Sequence, residues 1–196
     1  MVQGHFTLDG SIGQTQYYPE NTNWDDERFP FTGARLDSAS GRVDFNFTEC
    51  TVDFAANARY PEEPVCFIAQ MTHSKCLQSI VAPHIHWVQS EVTVPNWLMA
   101  YRWYNNGSAV PAFTLVPAEA PAFTYVSGDM MQLSNFGHIS PPATETISSI
   151  LDIKIYNDTA NTSTLFAGAS AVVGQAKEMD IHVMKDSVGS GTEFVK

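Results

Sequence analysis

Basic side chains are scarce in this chain. Ten lysines and arginines face 21 aspartates and glutamates, a formal net charge of −11 over 196 residues, and no basic arm or run offsets it. A chain of this sign repels polyphosphate backbones and anionic headgroups, which argues against general nucleic-acid or membrane-surface binding. Cysteine is equally thin. Cys50, Cys66 and Cys76 cannot all pair within one chain, and no CxxC occurs. The step from Cys66 to Cys76 is longer than the short spacings of zinc ligands. The expectation is buried free thiols made in a reducing cytosol. Long apolar runs are missing too, so no segment is expected to cross a membrane. The opening MVQGHFTLDG has neither the basic start nor the apolar run of a signal peptide. Four Asn-x-Ser/Thr triplets, at Asn46, Asn106, Asn157 and Asn161, then read as turn and surface composition.

Several catalytic signatures are also absent. There is no GxSxG elbow, and "VGSGT" near the end lacks a flanking strand and helix. "SIGQTQ" lacks the Gly-Lys-Ser/Thr ending of a phosphate loop. No internal repeat argues for a propeller, and no apolar stripe at helical spacing stands out. With none of these motifs, the reading expects no enzyme and no cofactor.

What is present is strand texture. "RVDFNF" alternates Val43, Phe45 and Phe47 against Arg42, Asp44 and Asn46. "PVCFIAQM" (64–71) is a continuous apolar run, as a strand buried on both faces would be. "HIHWVQSEV" and "WLMAYRWYN" follow across "TVPN", and the second puts Trp97, Met99, Tyr101 and Trp103 on one face. "SILDIKIYND" sets Leu151, Ile153 and Ile155 opposite Ile150, Asp152, Lys154 and Tyr156. "EMDIHVMK" sets Met179, Ile181 and Val183 against Asp180 and His182. Short strands with regular turn punctuation predict an all-β, antiparallel two-sheet sandwich of jelly-roll type. An immunoglobulin-like sandwich lacks its paired-cysteine and tryptophan pattern here.

The first forty residues differ. They mix aromatics, Pro, Gly, Asn and acids without a sustained period, and are expected to run as an extended N-terminal arm (1–40) ahead of the sandwich domain (41–196). Trp24, Phe29 and Phe31 are its candidate anchors, expected to bind a partner or an adjacent subunit while the sandwich folds without the arm.

"PHIHW" (83–87) is the stretch most like chemistry. On a strand His84 and His86 point the same way, close enough to share a metal ion, and His182 offers a third imidazole from the last strand. His73 is a further possibility. A cupin-type site also wants a carboxylate. Glu91, five residues past His86, falls on the wrong face without a bulge, and the glycines of that motif are missing. The expectation is therefore that His84 and His86 are structural, hydrogen-bonded inside the sandwich or at a subunit contact near His182, with no metal held. "WDDERF" is the tightest acidic cluster, and solvation or pairing with Arg28 accounts for it.

The phrases "WDDERFPFTGARLD", "IAQMTHS", "PHIHWVQ", "LMAYRWYNNGSAVP", "FTYVSGDMMQ", "ILDIKIYND" and "MDIHVMKDSVGSGTEFVK", taken in order, resemble a group of small virion-associated proteins of tailed bacteriophages. The resemblance covers most of the chain from about Trp24 onward and rests on ordered phrases, since no catalytic signature defines the group. It implies a jelly-roll virion component, with His84, His86 and His182 at matched positions. The leading expectation is an oligomeric capsid decoration, or cement, protein. It would be a homotrimer bound to the major capsid protein on the outside of the head, assembled in the host cytoplasm, without nucleic-acid or membrane contact. Its arm would bind the capsid shell or an adjacent subunit. The second is a tail-associated receptor-binding protein that stacks Trp97 or Trp103 on a cell-surface glycan. The third is a cupin-like metal enzyme using His84, His86 and His182.

Overall fold

In the computed structural model, residues 5–8, 15–18, 23–36, 41–89, 93–119, 130–170, 172 and 174–186 are described. Alternation of apolar and polar side chains gives each strand one wet and one dry face. Strands β1 (His5–Leu8) and β2 (Thr15–Tyr18) pair with each other in a two-stranded sheet. Next come β3 (Asn23–Pro30), a 3-10 turn at Phe31–Gly33, β4 (Arg35–Leu36), β5 (Val43–Asn46), β6 (Thr51–Phe54) and β7 (Val65–Gln70). The chain continues with β8 (Val81–Gln89), β9 (Trp97–Tyr104), β10 (Thr114–Pro117), β11 (Met130–Asn135), β12 (Ile150–Asn157) and β13 (Gln175–Lys185). There is no α-helix among the described residues.

Two antiparallel sheets form a sandwich. One runs β10-β9-β12-β7-β4; the other runs β11-β8-β13-β6-β5, with β3 also paired to β13. Four of these pairings nest inside one another along the chain: β6 with β13, β7 with β12, β8 with β11, and β9 with β10. The chain from β6 to β13 is thus one long antiparallel hairpin rolled over itself, and pairings β13–β8 and β12–β9 close each sheet sideways. This order is compatible with the expected jelly-roll type.

The inner faces meet in one core. Val81, Ile85 and Trp87 of β8 and Met179, Ile181 and Val183 of β13 face Trp97, Met99 and Trp103 of β9 and Leu151, Ile153 and Ile155 of β12. The expected faces of β9, β12 and β13 are therefore the buried ones. Trp97 packs edge-on against Phe54 with ring centroids 5.3 Å apart. Gly174 gives that indole its room, since a Cβ there would lie 2.5 Å from the ring.

Several expectations change. Strand β7 is not buried on both faces. Val65, Phe67 and Ala69 enter the core while Ile68 is 55% exposed, so the apolar run reads as a one-sided strand with an apolar outer face. Phe47 lies past the end of β5 in a turn and is exposed. The thiols are free but not buried: Cys50 is exposed, Cys66 and Cys76 half-buried. Trp97 and Trp103 are in the core, which removes them as sugar-stacking surfaces. Of the segment 1–40, residues 23–36 lie within the two sheets. Strand β3 pairs with β13 through eight residues, Glu178↔Pro30 to Lys185↔Asn23, and β4 pairs with β7. Phe31 is fully buried, 4.9 Å from the Phe67 ring, and Phe29 packs beside it. Only Trp24 of the three anchors is substantially exposed, at 45%.

Candidate functional site

Because Val81, Ile85 and Trp87 face the core, alternation turns Ala82, His84, His86 and Val88 to the outer face of their sheet. Along β13 the same rule turns Glu178, Asp180, His182 and Met184 outward. The β8–β13 register then sets Asp180 opposite His84 and His182 opposite Ala82. On the far side of β13, β3 sets Arg28 opposite Asp180 and Asp26 opposite His182. Three strands thus carry three histidines and two aspartates to one outer patch.

Three of these side chains converge on a point. His84 Nε2 and His86 Nε2 are 3.2 Å apart. Asp180 Oδ2 lies 3.2 Å from His86 Nε2 and 3.4 Å from His84 Nε2. His84 and Asp180 are buried although they sit on an outer face, whereas the His86 side chain is 26% exposed and opens the group to solvent. The other carboxylate oxygen, Asp180 Oδ1, is buried with no hydrogen-bond partner among the described residues. Burial first, and then the neighbouring His182 imidazole, hold the His84 pKa below its ordinary value against the opposing pull of Asp180.

His182 stands beside this triangle and not in it. Its ring is 4.5 Å from that of His84, but its Nε2 is 3.1 Å from Asp26 Oδ1. Trp24 flanks it with centroids 6.3 Å apart. Next to His182 a concavity of about 470 Å³ is lined by Glu119, Asn135, Gly137 and His138.

Two expectations are thereby corrected. His84 and His86 lie on the outer face of a sheet, not inside the sandwich, although they are hydrogen-bonded to each other and His84 stands beside His182 as expected. The carboxylate missing along β8 comes from β13. Asp180 replaces His182 as the third converging group, and together His84, His86 and Asp180 could hold a metal ion. The clue was in "MDIHV": residues two apart on a strand share a face, so Asp180 had to accompany His182. Glu91 falls outside the described residues. His73 is elsewhere, with its Nε2 2.9 Å from Ser148 Oγ. The "WDDERF" acids are paired more widely than with Arg28. Asp25 and Glu27 contact Lys185 at 2.5 and 3.3 Å, and Asp26 is shared between His182 and Arg28.

Two further polar groups went unforeseen. Lys75 and Glu145 form a fully buried ion pair at 2.9 Å, with Lys75 Nζ also donating to the Cys76 and Ser79 carbonyls. On the outer face of the five-stranded sheet a groove of about 430 Å³ is lined by Ile68, Arg102, Phe113, Asp152 and Lys154. There Arg102 donates to Asp152 at 2.7 Å and stacks over Phe113. Lys75 is neutralised by Glu145 and Arg102 by Asp152, while Lys154 stands over the Phe113 ring. No protein-family model matches the sequence, and comparison with curated proteins finds no match.

Proposed function

We propose that this chain is a structural protein of a tailed-bacteriophage virion, an oligomeric decoration protein that attaches to the outside of the head and reinforces it. One observation carries the reading. Four of the phrases that resemble virion proteins overlap strands that build the sandwich: "WDDERFP" lies in β3, "PHIHWVQ" in β8, "ILDIKIYN" in β12, and "MDIHVMK" in β13. That overlap supports reading the resemblance as one of framework strands, in a jelly-roll-compatible order, rather than of a local motif. The outer faces carry exposed apolar side chains, Ile68 on one sheet and Met131 and Trp24 on the other, which a neighbouring subunit or shell can cover. A reinforcing role needs only complementary surface and mass action, with no chemistry. The glycan-binding alternative loses its two named tryptophans to the core.

The test is to add the purified full-length chain to particles that lack it. Light scattering coupled to size exclusion is expected to give a trimer, and cryo-electron microscopy is expected to give saturable density on the head. A monomer that leaves the head bare, or binding confined to the tail, overturns the reading.

A further inference from the structure

We propose that His84, His86 and Asp180 bind one divalent transition-metal ion through the two Nε2 atoms and Oδ2, on the outer face of the six-stranded sheet.

With Asp180 ionised, hydrogen bonding alone leaves this triangle mismatched. All three of its sides are 3.2–3.4 Å, the length of a polar contact, so each side calls for one proton between a donor and an acceptor. An ionised carboxylate only accepts. Both imidazoles must then donate to Asp180, which leaves two N–H groups facing each other along the His84–His86 side. If one nitrogen instead accepts from the other, its lone pair faces the carboxylate. With the carboxylate ionised, a single ring nitrogen cannot donate and accept at once, so one side stays mismatched for any pair of neutral tautomers.

A cation removes the conflict, because all three atoms then act as lone-pair donors. The distances fit. A triangle with these sides has a circumradius of about 1.9 Å, and zinc bonds to imidazole nitrogen and carboxylate oxygen run about 2.0–2.2 Å. An ion slightly above the plane therefore reaches all three without moving any of them. Two imidazoles and one carboxylate are the donor set of both zinc and non-haem iron(II) centres. The orphaned Asp180 Oδ1 is free to become a second oxygen ligand or to accept from a metal-bound water. Solvent reaches the group past the partly exposed His86, so water can complete the coordination. The ion would join β8 to β13, neighbours in the sheet but distant in the chain.

The experiment uses tag-free, full-length protein stripped with chelator and dialysed. Calorimetric titration with Zn²⁺ is expected to show one equivalent bound per chain, with a rise in unfolding temperature. Co²⁺ is expected to give visible absorption bands of low-coordinate character. Asp180→Asn preserves shape, and His86→Gln changes a partly exposed side chain. Each is expected to keep the circular-dichroism spectrum of the parent and to weaken binding by at least about 100-fold, by analogy with the smaller losses that follow removal of supporting groups. His138→Gln, in the adjoining concavity, is expected to leave binding unchanged. No saturable uptake of Zn²⁺ or Co²⁺ by the folded chain overturns the proposal, as does uptake that survives both Asp180→Asn and His86→Gln. Loss with His182→Gln while Asp180→Asn stays silent would mean a three-histidine site and overturns it too.

Discussion

Asp158 accepts hydrogen bonds from the backbone and hydroxyl of Thr162 at 2.9 and 2.8 Å and from those of Ser163 at 2.9 and 2.5 Å. A fifth comes from the Tyr60 N–H at 3.3 Å. Burial pushes its pKa up, but the Ser163 and Thr162 donors outweigh burial and hold it below the usual carboxylate range. A carboxylate whose folded pKa lies below its unfolded one contributes stability that is complete above the unfolded value. That contribution vanishes as pH falls through the folded value. Asp158→Asn is therefore expected to cost roughly 1–3 kcal/mol at neutral pH. In urea titrations the gap to the parent should narrow once pH drops below the ordinary aspartate value of about 3.9. A gap unchanged into acid would mean that the charge contributes nothing. Neither Asp158 nor Asp180 stood out in the sequence. Asp158 takes most of its donors from the turn at Thr162 and Ser163, which has no strand periodicity to mark it, and Asp180 takes its partners from distant β8. Alternation could report the face of Asp180 but not the register that delivers it to His84.

At the scale of elements, β3 with its following turn is the part whose role differs most from what its composition suggested. "WDDERFPF" has no apolar alternation because its outer face carries Trp24, Asp26 and Arg28 while its inner side ends in Phe29 and Phe31. Two aromatics at one end suffice to anchor it, and a periodicity reading weighs the whole window equally. If Phe31 served only a partner, its loss would leave the isolated chain as stable as before. Its position in the core predicts instead that Phe31→Ala costs about 3–5 kcal/mol in urea unfolding of the chain alone. Trp24→Ala, at an exposed position, should change stability by no more than about 0.5 kcal/mol. Equal effects of the two substitutions would contradict the placement of Phe31. Strand β7 carries the complementary lesson. Its apolar outer residues Cys66 and Ile68 made a one-sided strand look two-sided, because hydrophobicity reports what can be buried and not what is.

For the molecule as a whole, the all-β, two-sheet architecture and the inward faces of β9, β12 and β13 were legible, since each rests on period-two patterning within a few residues. Strand order was not, because pairings such as Val52 with Ala176 join opposite ends of the sandwich's chain. One of those pairings fixes how the protein takes mechanical load. Asn23 and Lys185 form the last rung of the β3–β13 ladder, so the chain enters and leaves the sandwich at the same end of one strand pair. Tension between these two points acts across that ladder and opens it like a zipper, loading one rung at a time. Tension between Asn23 and the opposite end of β13 would run along the strands and strain all the rungs together. Single-molecule pulling with handles at residues 23 and 186 should release β3 at a lower force than handles at residues 23 and 175, and equal forces would refute this geometry. A particle component held by both of its chain ends would be pulled in its weakest direction. Attachment through the outer faces of the sheets, as proposed above, would leave that ladder unloaded.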